Sequence, residues 1–475
     1  MAGNAYSHIA ASGNQIIDGL LYGIGWSGPI TYAFPAEAAD YAYDRETDAE
    51  FAGLTRQQQN SAAFALDQLF GNAANDGFSI EGFTNADISS GDARSAQIRV
   101  AQSALPLTAY TYLPGDYTEA GDVWLGKYSG CSCPNCGNYG GHTVLHEMGH
   151  AMGLKHGHDP LNGFDALPSE YDSLEVTVMT YRSFAGGSAA GGYTYDRWSA
   201  PQTYMMGDIA ALQYMYGADF ETNGGDTVYS WRQGNADTFV NGARAINAGG
   251  DTIFATIWDG GGIDTYDLGG FRSKIRLSLE PGESSRFNTS QLADLGRGHH
   301  AQGNIYNALQ YQGDIRSLIE NAIGGRNRDW LAGNGADNTL SGRRGDDRLL
   351  GAGGGDTLEG GAGNDRLDGG DGNDVLEGSA GNDRLSGGAG DDRLAGGRGH
   401  DLFIFDTLGG HDVIIGFANG LDRLSLAGTG WTSAEDIIAN AVQVDDDVVI
   451  TLSDSQSITL ADFELDRLDA KDFLW

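Results

Sequence analysis

The sequence predicts two domains: an α/β (α+β) domain over residues 1–220, then an all-β parallel β-roll/β-sandwich domain over residues 221–475. Three observations carry this expectation. The chain has 475 residues, more than one hydrophobic core ordinarily serves. Its composition shifts after Gly217, where Gly, Asp and Asn become abundant and apolar runs shorten. From Gly324 to Ile404 the chain then divides into consecutive nonapeptides, the signature of a stacked repeat.

In the first domain, Ile30–Phe34, Gln97–Ala101 and Asp122–Gly126 cluster or alternate apolar residues as strands do. Thr55–Phe70 is polar on one side and carries Phe64, Leu66, Leu69 and Phe70 on the other, so a helix is expected. Further helices are expected at about 142–153 and near 203–216. These elements suffice for a twisted sheet with helices packed on it.

The helix at 142–153 carries the chemistry. Residues 146–156 read His-Glu-Met-Gly-His-Ala-Met-Gly-Leu-Lys-His. His146 and His150 are four apart, share one helix face and can bind a single ion. Glu147 follows the first ligand, within reach of an attacking water as a general base. Gly153 can adopt φ > 0, end the helix and turn the chain back so that His156 becomes a third ligand. Three protein ligands with an open fourth position mark catalytic rather than structural zinc.

In the repeats, one large apolar residue recurs every nine, at Leu331, Leu340, Leu349, Leu358, Leu367, Leu376, Leu385, Leu394 and Phe403, and stacks into a thin core. Two positions earlier the clear repeats carry Asp347, Asp356, Asp365, Asp374, Asp383, Asp392 and Asp401. Carboxylates at this density, with glycines exposing backbone carbonyls, suit Ca²⁺, and metal binding should be coupled to folding. Arg326-Asn327-Arg328 and Asn338 degrade the first two repeats, so firm calcium sites are expected between about 345 and 401. Val442–Val449 and Ile458–Leu460 read as strands that close the roll.

With 28 basic and 65 acidic residues, a net charge of −37, the chain is disfavoured for nucleic acid and for anionic membrane, and favoured for cations. No apolar run approaches the ~20 residues needed to span a bilayer. Glycine numbers 74, about twice the usual ~7% share, and proline only 9. No basic region followed by an apolar stretch opens the chain, so a standard N-terminal signal peptide is not expected. The three cysteines, Cys131, Cys133 and Cys136, lie together upstream of the motif. A Cys131–Cys136 disulfide, a second metal site completed by His142, and three free thiols all stay open.

H-E-x-x-H-x-x-G-x-x-H resembles the motif of the metzincin metalloproteases, and Val178-Met179-Thr180-Tyr181 resembles their methionine turn. The resemblance implies a metzincin-like catalytic domain in which Met179 floors the histidines. In the serralysin branch the tyrosine two residues later is an additional zinc ligand, and Tyr181 matches that position. It would leave the metal when substrate arrives and hydrogen-bond the oxyanion. The repeats match G-G-x-G-x-D-x-U-x of the calcium-binding RTX β-roll. Asp18–Tyr22 with Trp26, Asp208–Gly217, Thr256–Asp259 and Ile319–Gly325 also resemble serralysin segments. The terminal Asp472-Phe-Leu-Trp475 is similar to the secretion signal of type I exported RTX proteins. What this implies is a secreted, extracellular zinc endopeptidase that acts on peptide bonds of proteins, with Glu147 and Tyr181 catalytic and calcium stabilising the roll. The implied partners are protein and peptide substrates, the type I secretion machinery and a proteinaceous inhibitor; a monomer is expected.

Overall fold

The computed structural model describes residues 5–67, 77–130, 136–405, 409–427 and 429–474. It divides into two compact units: Met1–Tyr229 with Gly234–Gly262 and Thr289–Ser317, and Ser230–Gln233 with Ile263–Asn288 and Leu318–Trp475. A single boundary at 220 does not describe this division. Two later segments return to the first core because Phe254, Trp258, Leu295 and Tyr306 are buried in the same cluster as Leu20, Val100 and Met148. Gly- and Asp-rich composition marks loops, and loops occur in both units.

The first unit is built on a five-stranded sheet whose spatial order is Ile88–Ser90, Ile30–Ala33, Ile98–Ser103, Asp122–Gly126 and Ala109–Thr111. The first four strands run parallel, and the last pairs antiparallel at the edge. Ile98–Ser103 and Asp122–Gly126 are buried along their whole length, as central parallel strands are when both faces are covered. The helix Arg56–Leu66 starts at a capping box formed by Thr55 and Gln58. Leu69 and Phe70, expected on its apolar side, lie outside the described residues. The motif helix spans Tyr139–Ala151, three residues earlier than its periodicity suggests, because the Asn138 side chain accepts the Gly141 N–H at 2.8 Å. Met206–Tyr216 is the third long helix, and Gly207–Gln213 within it are buried.

In the second unit, short parallel strands stack in two sheets. Within the repeats each strand pairs with a strand two nonapeptides away, an offset of 18 residues. Leu349, Leu367, Leu385 and Phe403 therefore align in one sheet, and Leu340, Leu358, Leu376 and Leu394 in the other. All eight are buried, which is the thin core that a leucine every nine residues builds. Val442–Val449 is not one strand. Ala441–Val444 and Asp447–Ser453 form an antiparallel hairpin that turns at Asp445, whose φ is +54°. Asp tolerates that left-handed conformation, so Asp445 and Asp446 form the turn and Asp447 begins the return strand. Gln456–Ala461 continues from the hairpin and pairs parallel with His411–Ile415. Phe473–Leu474 pairs with Leu424–Ser425 at the end of the other sheet. Among the described residues, no helix is long and apolar enough to cross a membrane.

Candidate metal centre and calcium ladder

The helix Tyr139–Ala151 places His146 and His150 on one face, and their rings lie 4.7 Å apart. Gly153 follows at φ +102°, and a Cβ there would stand 2.5 Å from the Ile24 carbonyl. Only glycine fits this turn, and the turn returns His156 to the helix. His156 Nε2 lies 3.1 Å from His146 Nε2 and 3.1 Å from His150 Nε2. His146 Nδ1 is 2.7 Å from the Val178 carbonyl and His150 Nδ1 is 2.8 Å from the Leu154 carbonyl. A carbonyl can only accept, so both Nδ1 atoms carry the proton and both Nε2 lone pairs face the shared point. Burial, and then repulsion from a neighbouring histidine, holds His150 and His156 down at about 3 and His146 well below its ordinary value. The three rings are therefore neutral. Three neutral imidazoles converging on one point fit zinc.

Glu147 is buried beside them. Its Oε2 accepts from Thr111 Oγ1 at 2.7 Å, and the same hydroxyl reaches the Glu147 carbonyl at 3.1 Å. Burial raises its carboxyl to about 7, against the opposing effect of the Thr111 bond. Tyr181 packs over the rings, 4.6 Å from His156 and 5.7 Å from His146, and burial raises its phenol to about 12. Met179 is fully buried under the helix. A Cβ on Gly149 would stand 2.6 Å from Met179 Sδ, so the glycine inside the motif is what admits the methionine. A cleft of about 220 Å³ opens at this point, lined by Thr111, Leu113, Glu147, His150, His156 and Tyr181.

Several supports carry no signal in the sequence. Asp208 accepts from Thr177 Oγ1 at 2.5 Å, Val178 N at 2.8 Å and Met205 N at 3.0 Å, and so pins the turn that holds Met179. Lys155 is buried and donates to the carbonyls of Gly19, Asp159 and Asp165 at 2.6, 2.9 and 2.9 Å, which fixes the loop after His156. His158 stacks on His156 with rings 5.1 Å apart. His142 is turned to Tyr195 and the Val178 carbonyl. Cys131 and Cys133 lie outside the described residues, so the disulfide and cysteine-metal readings fall there. Cys136 is half-buried, and burial raises its thiol to about 11.

In the roll, each repeat aspartate uses one oxygen to accept a backbone N–H from 18 residues earlier, as Asp365 does from Asp347 at 2.7 Å. The other oxygen, Oδ2, is buried and has no hydrogen-bond partner in Asp347, Asp356, Asp365, Asp374, Asp383, Asp392 and Asp401. These are the seven aspartates read from the repeats. Burial raises Asp347, Asp356, Asp383 and Asp392 to about 7 and Asp365 to about 6, and shifts Asp374 and Asp401 upward. A row of orphaned, desolvated carboxylate oxygens fits a hard cation. Each is cradled by the first glycine of its repeat; a Cβ on Gly360 would stand 2.5 Å from Asp365 Oδ2. The degraded repeats differ. Asp329 spends both oxygens on the Ile275 and Gly325 N–H groups, and Asn338 exchanges hydrogen bonds with Asn334.

One unit thus brings together three histidines that could hold a metal ion beside a buried carboxylate, and the other carries a roll of repeats with unpartnered carboxylate oxygens. The RTX calcium-binding nonapeptide repeat family (4 copies) matches residues 323–358, 350–385 and 368–403. Serralysin of Proteus mirabilis is 31% identical over 336 residues, which is 67% of this chain and 62% of that protein. Metalloprotease AprA of Pseudomonas entomophila (strain L48) is 32% identical over 332 residues, 66% of this chain and 60% of that protein. Serralysin B of Dickeya chrysanthemi is 36% identical over 232 residues, 47% of this chain and 42% of that protein. The chain thus spans at most 62% of the length of these relatives. Among solved structures, the AlgE6R3 subunit of the Azotobacter vinelandii mannuronan C5-epimerase is 31% identical over 25% of this chain and 76% of that one, at a TM-score of 0.21, a likeness too slight to bear on the fold. The chain is similar to serralysins over about two thirds of its length and carries RTX calcium-binding repeats.

Proposed function

We propose that the protein is a secreted zinc endopeptidase with a metzincin-like catalytic domain and a calcium-stabilised roll. The observation that carries this is the convergence of the His146, His150 and His156 Nε2 atoms beside the buried Glu147. Bound there, zinc would supply Lewis acidity and acidify a water. The carboxylate of Glu147, oriented by Thr111, takes the proton of the attacking water and delivers it to the leaving nitrogen. The phenol of Tyr181, neutral at working pH, donates to the oxyanion at the substrate carbonyl. Ala109–Thr111 lies at the sheet edge along the cleft, and its free backbone groups suit an extended peptide added as a further strand. That preference for extended backbone supports proteins and peptides as substrates.

Calcium at Asp347, Asp356, Asp365, Asp374, Asp383, Asp392 and Asp401 would compensate the buried charge and fold the roll outside the cell. The serralysin-type sequence supports export by a type I system and control by a proteinaceous inhibitor. The deciding experiment is casein cleavage by the parent and by Glu147→Gln in millimolar calcium, with zinc content measured in both. Zinc near one equivalent in each, and cleavage only by the parent, is the expected result. A Glu147→Gln variant that cleaves at the parental rate would remove Glu147 as the base, and a zinc-loaded parent that cleaves nothing would remove the peptidase reading.

A further inference from the structure

The two outer faces of the roll are chemically unlike. In the eight-stranded sheet, Trp330, Arg348, Arg366, Arg384, Leu402 and Arg423 stand in register on successive parallel strands. At the matching position of the opposite sheet, the register row reads Thr339, Thr357, Val375, Arg393 and Val413. Three consecutive strands carry arginine in the first row, against the single Arg393 in the second, so the repeat alone does not account for them.

Arg348, Arg366 and Arg384 are exposed and are direct neighbours, about 4.8 Å apart on adjacent strands. Like charges placed so are destabilising. Among the described residues, none of the three has a carboxylate within ion-pairing distance, although the chain carries 65 acidic residues. They line a groove of about 500 Å³ together with Trp330, Lys274 and Arg328. Asn364 and Asn382 also line it. Its acidic members are Asp346, which pairs with Arg328, and the buried Asp329, Asp347 and Asp365. Asp368 projects on the same face.

We propose that this groove binds a linear acidic polysaccharide that carries one carboxylate per sugar, a polyuronate, laid across the strands. The spacing selects it. A uronate chain advances by roughly one strand spacing per sugar, so the carboxylates that its helical twist turns toward the sheet fall in step with the guanidinium row, and each of these can form a bidentate pair. Beyond Arg348 the row continues through Trp330 to Arg276, whose guanidinium lies over the indole ring at 4.7 Å. Nucleic acid is the poorer match. Its charges come at one per ~1.7 Å of duplex, and the chain's net charge of −37 opposes that density more strongly. The proposal rests on the calcium reading of the roll, because Asp347 and Asp365 adjoin Arg348 and Arg366 and their charge must be compensated for the groove to be cationic. In function, the peptidase would be anchored on an acidic extracellular matrix.

The test uses the full chain in fixed calcium, a fluorescein-labelled short oligogalacturonate as probe, and anisotropy as readout, with circular dichroism to follow calcium-induced folding. Saturable binding that weakens steeply with salt is expected. It should fall at least about tenfold in the triple variant R348Q/R366Q/R384Q and about threefold in Arg366→Gln alone, the variant that serves if the triple one does not fold. A folded variant that binds as the parent does overturns the proposal. So does a neutral oligoglucan that competes equally, or a labelled oligonucleotide of equal charge that binds more tightly. A parent whose circular dichroism ignores calcium overturns the calcium reading; a calcium-responsive parent that ignores the probe overturns the polyuronate site alone.

Discussion

At the residue scale, Thr111 holds the carboxylate proposed to move the proton. Its hydroxyl donates to Glu147 Oε2 at 2.7 Å from the edge strand, across 36 residues of sequence. A hydrogen bond to a charged group contributes about 1.5–3 kcal/mol. Thr111→Val removes it at nearly constant volume, so casein cleavage is expected to fall about tenfold or more, with Thr111→Ser retaining most of the rate. A Val variant as fast as the parent would exclude Thr111 from orienting the base. Ala352 poses a different case. It sits at φ +90° where most repeats place glycine, as at Gly361, Gly370 and Gly388. The left-handed conformation costs a non-glycine residue about 1–2 kcal/mol. Ala352→Gly should therefore raise the calcium-loaded melting midpoint by about 1–3 °C, read by calorimetry.

At the element scale, the motif helix and the turn after it act as one unit. The convergence of the three histidines was legible because His146, His150, Gly153 and His156 are bound by local geometry: four residues bring a helix face round, and a glycine reverses the chain. The same locality made the nonapeptide strands readable. Asp208, Lys155 and Thr111 were not legible, since nothing in their own neighbourhoods says that Asp208 meets Val178 or that Lys155 meets Gly19. The Ala441–Ser453 hairpin was missed because apolar residues flank the aspartates on both sides and mimic one strand. Gly153→Ala tests the helix-turn unit. The added Cβ would meet the Ile24 carbonyl at 2.5 Å in a left-handed conformation, so the turn must shift. The variant is expected to lose about 2 kcal/mol or more of stability and to hold well under one equivalent of zinc. Full zinc content in a folded Gly153→Ala protein would mean that His156 reaches the metal without this turn.

At the scale of the whole molecule, the ladder of buried carboxylates makes the roll's stability depend on calcium and pH together. In the absence of calcium, Asp347, Asp356, Asp383 and Asp392 are raised to about 7, chiefly by burial, and Asp365 to about 6. In the unfolded chain each returns to about 3.9. The folded value is the higher one, so the folded roll holds more protons than the unfolded chain between about pH 4 and pH 7. Stability in chelator is then greatest below about pH 4 as far as these groups decide it, and is lost as pH rises through about 7. Calcium reverses the dependence, because it must displace those protons; its affinity should climb between pH 5 and pH 8. Thermal midpoints measured by circular dichroism at pH 5, 6.5 and 8 separate the two regimes. In chelator the roll's midpoint should fall across that range, and the stabilisation on adding calcium should grow. A chelated midpoint that rises with pH would mean that the orphaned Oδ2 atoms are already compensated within the protein, and the ladder would then be a scaffold with no need of a cation. The opposite slopes would tie folding of the roll to a neutral, calcium-rich medium.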